Sequence, residues 1–169
     1  MDTNLLKLSE AKPWWTEESI KMVQNILKPT WKVYEFGSGG STIWLADKVS
    51  SVRAIEDNHH WFVRLREEIA VRNIINVQVI YRDITLGDYM HDILSYPNEN
   101  FDLIIVDNNF RRVESFEKAV SKVKRGGLIF LDDSQNLSWH GCFFVSGVEE
   151  VQTSQPERGK QATLFRRNQ

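Results

Sequence analysis

The sequence predicts an α/β protein with a doubly wound, mostly parallel, seven-stranded sheet that ends in an antiparallel hairpin. Five short β-rich runs alternate with amphipathic segments of helical spacing. Two of the runs, 103–106 and 128–131, are apolar without a break, which is typical of central parallel strands covered by helices on both faces. Two further strands are predicted at about 142–148 and 161–166. The polar stretch between them has no helical pattern, so they should pair as a hairpin.

Each predicted element has a local reason. The five parallel strands are predicted at 33–36, 52–56, 77–80, 101–106 and 127–131. A first helix should begin near Thr16, because Glu17 and Glu18 would then lie in its first turn and complement the helix dipole. It should end before Pro29, because proline cannot continue a helix.

Two further helices are predicted between the strands. Asn58 is the expected N-cap of one, and the apolar residues that should face the sheet from it are Phe62, Leu65, Ile69 and Val71. The other spans about 111–124 and crosses over between the two apolar strands. Its apolar residues recur at helical spacing, and the pair Gly126-Gly127 should end it.

Length and composition predict one domain over 1–169, in which 1–30 is an N-terminal helical segment that precedes the sheet. The hydrophobic fraction of 41% and the charged fraction of 26% are near globular averages. A net charge of -2 supplies no field that would gather nucleic acid or an anionic membrane. The apolar runs are far shorter than the roughly 20 residues that span a bilayer. The lone Cys142 fits a reducing compartment, so the expected location is cytoplasmic.

The segment 33–46 contains a strand, a glycine turn and a helix start in immediate succession. The glycines Gly37, Gly39 and Gly40 allow a ligand to approach the backbone, and the N–H groups at the helix start attract a carboxylate or phosphate. About twenty residues later, Glu56 ends the second strand, where a carboxylate can accept both hydroxyls of a ribose. Each feature alone also fits a purely structural turn or strand cap. Together they predict an adenosine-type cofactor.

Two residues of the loop favour a cofactor with a methionine moiety over a nicotinamide dinucleotide. Thr42 stands where a dinucleotide-binding loop would have its third glycine. Glu35 places a negative charge beside the loop, which would repel a pyrophosphate but attract an α-amino group. The carboxylate of the same moiety could be held by the loop N–H groups and by the hydroxyls of Ser38, Ser41 or Thr42, which can also cap the helix.

The run Glu35-Phe36-Gly37-Ser38-Gly39-Gly40-Ser41 resembles the first motif of the class I S-adenosylmethionine-dependent methyltransferases, an acidic residue followed by alternating glycines. Ser41 stands where the third alternating glycine often lies. The letters FGSGGST followed by an apolar helix are similar to a bacterial subgroup of small methyltransferases. The resemblance covers most of the chain and implies a Rossmann-like methyltransferase fold, with S-adenosyl-L-methionine as the cofactor.

The resemblance also implies roles for residues outside the loop. Glu56 would bind the ribose hydroxyls, and Asp83 would bind the adenine amino group with Ile84 nearby. The run 124–133 is similar to the family's passage from helix to fifth strand, and 161–167 is similar to its last, antiparallel strand. The chain is therefore expected to be a methyltransferase.

Carboxylates follow several predicted strands, and the carboxyl ends of those strands should meet at one rim, where ligands bind in such sheets. They are Glu35, Glu56, Asp83, Asp107, Asp132 and Asp133. Asp107 follows the central strand 101–106 directly and is the candidate catalytic residue, because methyl transfer needs the acceptor positioned and sometimes deprotonated. A role as a loop or helix cap is the alternative.

A metal site is a second interpretation of three of these aspartates. Asp107, Asp132 and Asp133 resemble the ligands of the magnesium-dependent catechol-type O-methyltransferases, which have an asparagine in place of Asp133. That family usually carries a longer N-terminal helical region. We therefore expect no metal, and keep the magnesium enzyme as an alternative.

The expected acceptor is a small molecule, because the chain has almost no insertion beyond the core elements. No nucleic-acid or membrane partner is expected, and a homo-oligomer is one way to complete the acceptor pocket. Trp14-Trp15 and Trp139 either line that pocket or are partly buried. The pair Arg111-Arg112 is expected to be exposed. Two other classes stay open, a nicotinamide-dependent oxidoreductase and a non-catalytic cofactor-binding protein.

Overall fold

The computed structural model describes residues 8, 10–86 and 88–169, and it contains a seven-stranded mixed sheet. The strands are β1 (Lys32–Phe36), β2 (Ser51–Glu56), β3 (Val77–Tyr81), β4 (Phe101–Val106), β5 (Val123–Leu131), β6 (Val148–Thr153) and β7 (Thr163–Arg167). They lie in the order β3-β2-β1-β4-β5-β7-β6. The first five are parallel, and β7 is antiparallel to both of its neighbours. The predicted fold class is confirmed.

The helices lie between the strands and cover them. They are α1 (Glu17–Gln24), α2 (Gly40–Ala46), α3 (His59–Val71), α4 (His91–Leu94) and α5 (Arg112–Lys122). Two 3-10 helices span Ile84–Leu86 and Leu137–Phe144. The predicted N-cap Asn58 is confirmed, since its side chain accepts a backbone N–H bond at the start of α3. Helix α1 begins directly after Thr16, as predicted, and the Thr16 side chain caps it.

The core lies on both faces of the central strands β1 and β4. Tyr34 and Ile104 belong to one apolar cluster, which α5 covers, while Val33 and Leu103 belong to another, which α1 and α2 cover. Because both faces of β4 are buried, its run 103–106 is apolar without alternation, as the sequence pattern indicates. In the sheet, β2 and β3 lie on one side of β1, whereas β4 and the later strands lie on its other side. This reversal opens a crevice at the carboxyl ends of the strands.

The first strand of the hairpin was predicted too early. The apolar run at 142–145 belongs mostly to the 3-10 helix Leu137–Phe144, where Cys142 is buried and Phe144 is 85% exposed. The strand is β6, further along the chain, within a polar segment. Because β6 lies at the edge of the sheet and its side chains are mostly exposed, it has no apolar face for the pattern to reveal.

Two predicted helix features are also wrong. Helix α5 ends at Lys122, and Gly126-Gly127 lie inside β5 instead of ending the helix. Val71, expected to face the sheet, is the last residue of α3 and is 80% exposed.

None of the helices in the described part of the chain is both long and apolar enough to cross a membrane.

Candidate functional site

The carboxyl ends of β1, β2, β4 and β5 surround a cleft of about 370 Å³. It lies at the reversal of strand order, where open α/β sheets bind ligands. Loop residues after each strand form most of the wall, and the segment before α1 and the loop between β6 and β7 complete it. The lining residues are Trp14, Gly37, Ser38, Glu56, Asp57, Asn58, Trp61, Asp107, Asn108, Asn109, Arg112, Asp132, Asp133 and Lys160.

The three glycines of the loop after β1 serve different needs. Gly37 has a φ of +84°, which favours glycine, and an added Cβ would lie 3.0 Å from the carbonyl oxygen of Asp107. At Gly40 an added Cβ would overlap the carbonyl oxygen of Lys12. Gly39 has extended backbone, and an added Cβ would only meet the Trp61 ring at ordinary contact distance. The protein's own packing therefore explains Gly37 and Gly40 but not Gly39.

Only the first part of the predicted loop faces the cleft. Gly37 and Ser38 line it, whereas the buried residues behind them are Gly39, Gly40, Ser41 and Thr42. Glu35 is also fully buried, outside the cleft wall, and accepts hydrogen bonds from the hydroxyls of Ser41 and Thr42. Its burial raises its pKa to about 8, against the lowering effect of those hydroxyls. Glu35 thus ties β1 to the start of α2.

Glu56 lies at the end of β2 and connects the loop to the cleft. One of its oxygens accepts from the backbone N–H and the hydroxyl of Ser38, at 3.0 and 2.8 Å. The other accepts from the backbone N–H of Asn58 at 2.9 Å. Burial raises the pKa of this carboxyl to about 7. The structure thus places a nearly buried carboxylate beside the glycine loop, as the sequence predicts.

Asp83 and Ile84 lie outside the cleft wall. Asp83 caps the 3-10 helix Ile84–Leu86 by accepting from the backbone N–H and hydroxyl of Thr85, and these bonds lower its pKa. Ile84 is part of the core. Asp57 lines the cleft instead, and burial raises its pKa. The proposed adenine contacts of Asp83 and Ile84 stay predictions.

Asp107 and Asp132 lie at the ends of the neighbouring strands β4 and β5, where Asp132 is buried and Asp107 is partly exposed to the cleft. Burial raises the pKa of both carboxyl groups, and the charge of Asp107 raises the pKa of Asp132 further. Two donors hold Asp107: the indole N–H of Trp15 at 3.0 Å from one oxygen and the guanidinium of Arg112 at 3.2 Å from the other. The candidate catalytic residue is therefore fixed in orientation and faces a partner that can share a proton.

Arg112 is the residue that sequence reasoning missed. It was expected to be exposed, but its exposed fraction is 3%. Its guanidinium donates to the backbone oxygens of Asn108 and Asp132, at 2.7 and 2.6 Å, as well as to Asp107, and it lies over the ring of Trp139. It therefore joins the ends of β4 and β5. The only signal in the sequence is its position in the first turn of the helix that follows Asp107.

Residues before α1 form one side of the site. Trp15 is buried, and its ring packs on Phe130 with centroids 4.5 Å apart. Trp14 lines the cleft and packs against Trp61, whose indole N–H donates to the carbonyl oxygen of Ser38 at 2.6 Å. The sequence left two roles open for these tryptophans. The structure places Trp14 on the cleft wall and Trp15 in the core.

The three aspartates of the magnesium interpretation are all on the cleft wall, but cationic side chains already pair with two of them. Arg112 pairs with Asp107, and Lys160 lies 3.3 Å from a carboxylate oxygen of Asp133. Among the residues that the structure describes, no group of three or more histidine, cysteine, aspartate or glutamate side chains has an arrangement that could hold a metal ion.

Comparison with known proteins locates this chain by fold. No protein-family model matches it, and no curated protein matches it. Among solved structures it is similar to an rRNA methylase from Streptococcus thermophilus, with a TM-score of 0.70 and 15% identity, covering 89% of this chain and 95% of that one.

Two further solved structures have the same fold. SMU.1697c, a candidate methyltransferase from Streptococcus mutans in complex with SAH, has a TM-score of 0.69 and 15% identity over 90% of this chain and 99% of that one. A candidate O-methyltransferase from Klebsiella pneumoniae has a TM-score of 0.71 and 17% identity over 100% of this chain and 91% of that one. At these identities the likeness shows the Rossmann-like methyltransferase fold. It does not extend to the FGSGGST subgroup or to an acceptor.

Proposed function

We propose that this chain binds S-adenosyl-L-methionine in the cleft and transfers its methyl group to a small-molecule acceptor. The observation that carries the proposal is the contact between the glycine loop and the buried carboxylate of Glu56 on the wall of that cleft. The fold supports it, because structures of the same fold include methyltransferases and one that was solved with SAH. A nicotinamide oxidoreductase has no comparable support.

Glu56 has the capacity to bind a ribose. A carboxylate offers about four lone pairs, and Ser38 and Asn58 together use three of them. One ribose hydroxyl can therefore donate to Glu56 directly. A second can donate if the hydroxyl of Ser38 turns away and engages the methionine carboxylate, which the sequence predicts as its ligand.

The carboxyl pair of Asp107 and Asp132 positions the methyl acceptor and takes up its proton. Methyl transfer is an in-line displacement, so the protein must align the acceptor atom with the methyl carbon. A hydroxyl or ammonium acceptor must also lose a proton. The pair lies on the cleft wall, and its raised pKa makes it a stronger base than an exposed aspartate, which suits it to take that proton. Arg112 and Trp15 keep Asp107 in place during the reaction.

The magnesium alternative has less support, because two cations of the chain itself neutralise its ligands. Arg112 and Lys160 contact two of the three aspartates, and a divalent ion would have to displace or repel both. We therefore propose that the reaction needs no metal and that acceptor placement and proton removal are sufficient.

A methyl-transfer screen tests this proposal. The protein is incubated with S-adenosylmethionine and pools of small-molecule alcohols, phenols, amines and carboxylic acids, and SAH formation is measured with and without EDTA. We expect at least one pool to give turnover that EDTA leaves unchanged. Turnover that EDTA abolishes and magnesium restores would establish the metal enzyme instead. The absence of turnover in every pool, with the cofactor bound, would favour a cofactor-binding protein without this activity.

A further inference from the structure

Two indole rings beside the glycine loop have no role in the proposal so far. Trp14 and Trp61 both line the cleft, and their ring centroids are 5.2 Å apart at an interplanar angle of 57°. Trp14 comes from the segment before α1, and Trp61 from the first turn of α3. We call these two rings the aromatic wall. It lies beside Ser38, Glu56 and Asp57 on the surface of the cleft.

The Trp61 ring is fixed against the loop. Its indole N–H donates to the carbonyl oxygen of Ser38 at 2.6 Å, and the ring lies 3.5 Å from the position of a Cβ on Gly39. Since an added Cβ at Gly39 would already touch the ring, glycine at this position leaves the Trp61 ring room beside the backbone of the loop. Trp61 therefore lines the part of the cleft that lies next to the glycine loop.

Trp14 is presented to the cleft by anchored neighbours. Pro13 and Trp15 on either side of it are buried, and Trp15 is held by its bond to Asp107 and its packing on Phe130. The backbone of Lys12 lies against Gly40. Between these fixed points Trp14 keeps 48% of its surface exposed. A large aromatic surface, held rigidly in a concave site, is suited to bind a ligand.

We propose that the aromatic wall binds the positive charge of the S-adenosylmethionine sulfonium. The inference rests on the proposed function, in which the loop at Ser38 holds the methionine end of the cofactor and Glu56 the ribose. Bound in this way, the cofactor would bring its sulfonium between those two parts, to the side of the cleft that Trp14 and Trp61 line. Indole faces attract cations through their quadrupole, and the carboxylates of Glu56 and Asp57 add to this field.

Methyl transfer removes the charge that the aromatic wall binds. When the methyl group leaves, the carbon–sulfur bond breaks and its electron pair returns to the sulfur, so the sulfonium becomes the neutral thioether of SAH. The acceptor atom gains the methyl group and gives up its proton to the Asp107–Asp132 pair. The wall loses its cationic partner at that moment. It therefore favours the methyl donor over the product and assists product release.

Three ligands separate the charge from the rest of the cofactor. S-adenosylmethionine and sinefungin carry a positive charge at this position, whereas SAH is neutral there. Calorimetry would measure the dissociation constants of all three for wild type, Trp14→Leu and Trp14→Phe. Leucine keeps an apolar side chain but lacks a π face, and phenylalanine retains one. Since half of Trp14 is exposed, both variants should fold, and circular dichroism checks this.

We expect Trp14→Leu to weaken the two charged ligands about 3- to 30-fold and SAH less than twofold, with Trp14→Phe in between. Trp61→Leu should show the same preference for the charged ligands and serves as a second test. If wild type binds the ligands, two results would overturn the inference. One is an equal loss of affinity for charged and neutral ligands in the tryptophan variants, and the other is no loss of affinity for any of them. If wild type binds none of the three, the proposed function itself fails.

Discussion

Burial decides the chemistry of single carboxyl groups in this site. Glu35 and Glu56 occupy the ends of adjacent strands, and burial raises the pKa of both, to about 8 and about 7. They differ in what surrounds them. Glu35 is enclosed by the hydroxyls of Ser41 and Thr42, whereas Glu56 is on the cleft wall. The sequence shows both carboxylates but not this difference, because burial depends on packing far away in the chain.

Glu35 predicts a pH dependence of stability. Its ordinary pKa is 4.5 and its pKa in the folded protein is about 8, so the folded state retains a proton that the unfolded chain has released between these values. Its stabilising contribution is complete below pH 4.5 and is lost as the pH rises through about 8. The slope for one such group is at most about 1.4 kcal/mol per pH unit.

The variant Glu35→Gln isolates this effect, because glutamine keeps the shape of the neutral carboxyl and does not titrate. The free energy of unfolding should fall less steeply with pH in this variant than in wild type, between about pH 5 and pH 8. Chemical denaturation across that range measures it, with Glu149→Gln on the exposed edge strand as the control. Equal slopes in Glu35→Gln and wild type would show that Glu35 is ionised in the folded protein.

At the scale of elements, two junctions position the site: the turn from β1 into α2, and the connection between the ends of β4 and β5. The first could be predicted from its glycines. The second could not, because Arg112 makes its bonds to residues as far along the chain as Asp132. Arginine at a helix start is usually solvated, so nothing local in the sequence marks its burial.

Gly39 and Gly40 should respond differently to substitution. Gly40→Ala should destabilise the protein by about 1 to 3 kcal/mol, because its Cβ meets the backbone of Lys12. Gly39→Val should leave the melting temperature near that of wild type, because its backbone is extended and an added Cβ meets the Trp61 ring at an ordinary 3.5 Å. It should nevertheless abolish S-adenosylmethionine binding, because the methyl groups of valine would press on the Trp61 ring that lines the cleft. Thermal melts and calorimetry check both, and normal binding by Gly39→Val would remove this glycine from the site.

Adjacent arginines provide a matched pair for the junction of β4 and β5. Arg112→Ala should cost about 3 to 5 kcal/mol of unfolding free energy, because it removes a buried guanidinium that pairs with Asp107 and bonds the backbone oxygens of Asn108 and Asp132. Arg111→Ala removes a surface pair with Glu114 and a long bond to the carbonyl oxygen of Ile84, and it should cost less than about 1 kcal/mol. Urea denaturation of the two variants compares them directly. Similar costs for both would mean that Arg112 does not join the strands.

For the whole molecule, the sheet and its order of elements follow from patterns that are local in sequence. Buried parallel strands such as 101–106 are read as unbroken apolar runs, and caps such as Asn58 are read from residue type. The edge strand β6 has no such pattern, and the apolar run before it was mistaken for a strand. The cleft was predictable in position, since the carboxylates end neighbouring strands. Trp14 of its aromatic wall was one of the tryptophans predicted either to line the pocket or to be partly buried. Trp61 was not, because only tertiary packing brings its ring against Trp14.

The central claim is that this cleft binds S-adenosylmethionine through the glycine loop and Glu56. Calorimetry of wild type and Glu56→Ala with S-adenosylmethionine, SAH and NAD tests it most directly, with Glu149→Ala as the control. Wild type should bind S-adenosylmethionine and SAH but not NAD, and Glu56→Ala should weaken both by about tenfold or more, since it removes a charged hydrogen-bond acceptor. Preference for NAD, or an affinity of Glu56→Ala within about twofold of wild type, would contradict the claim.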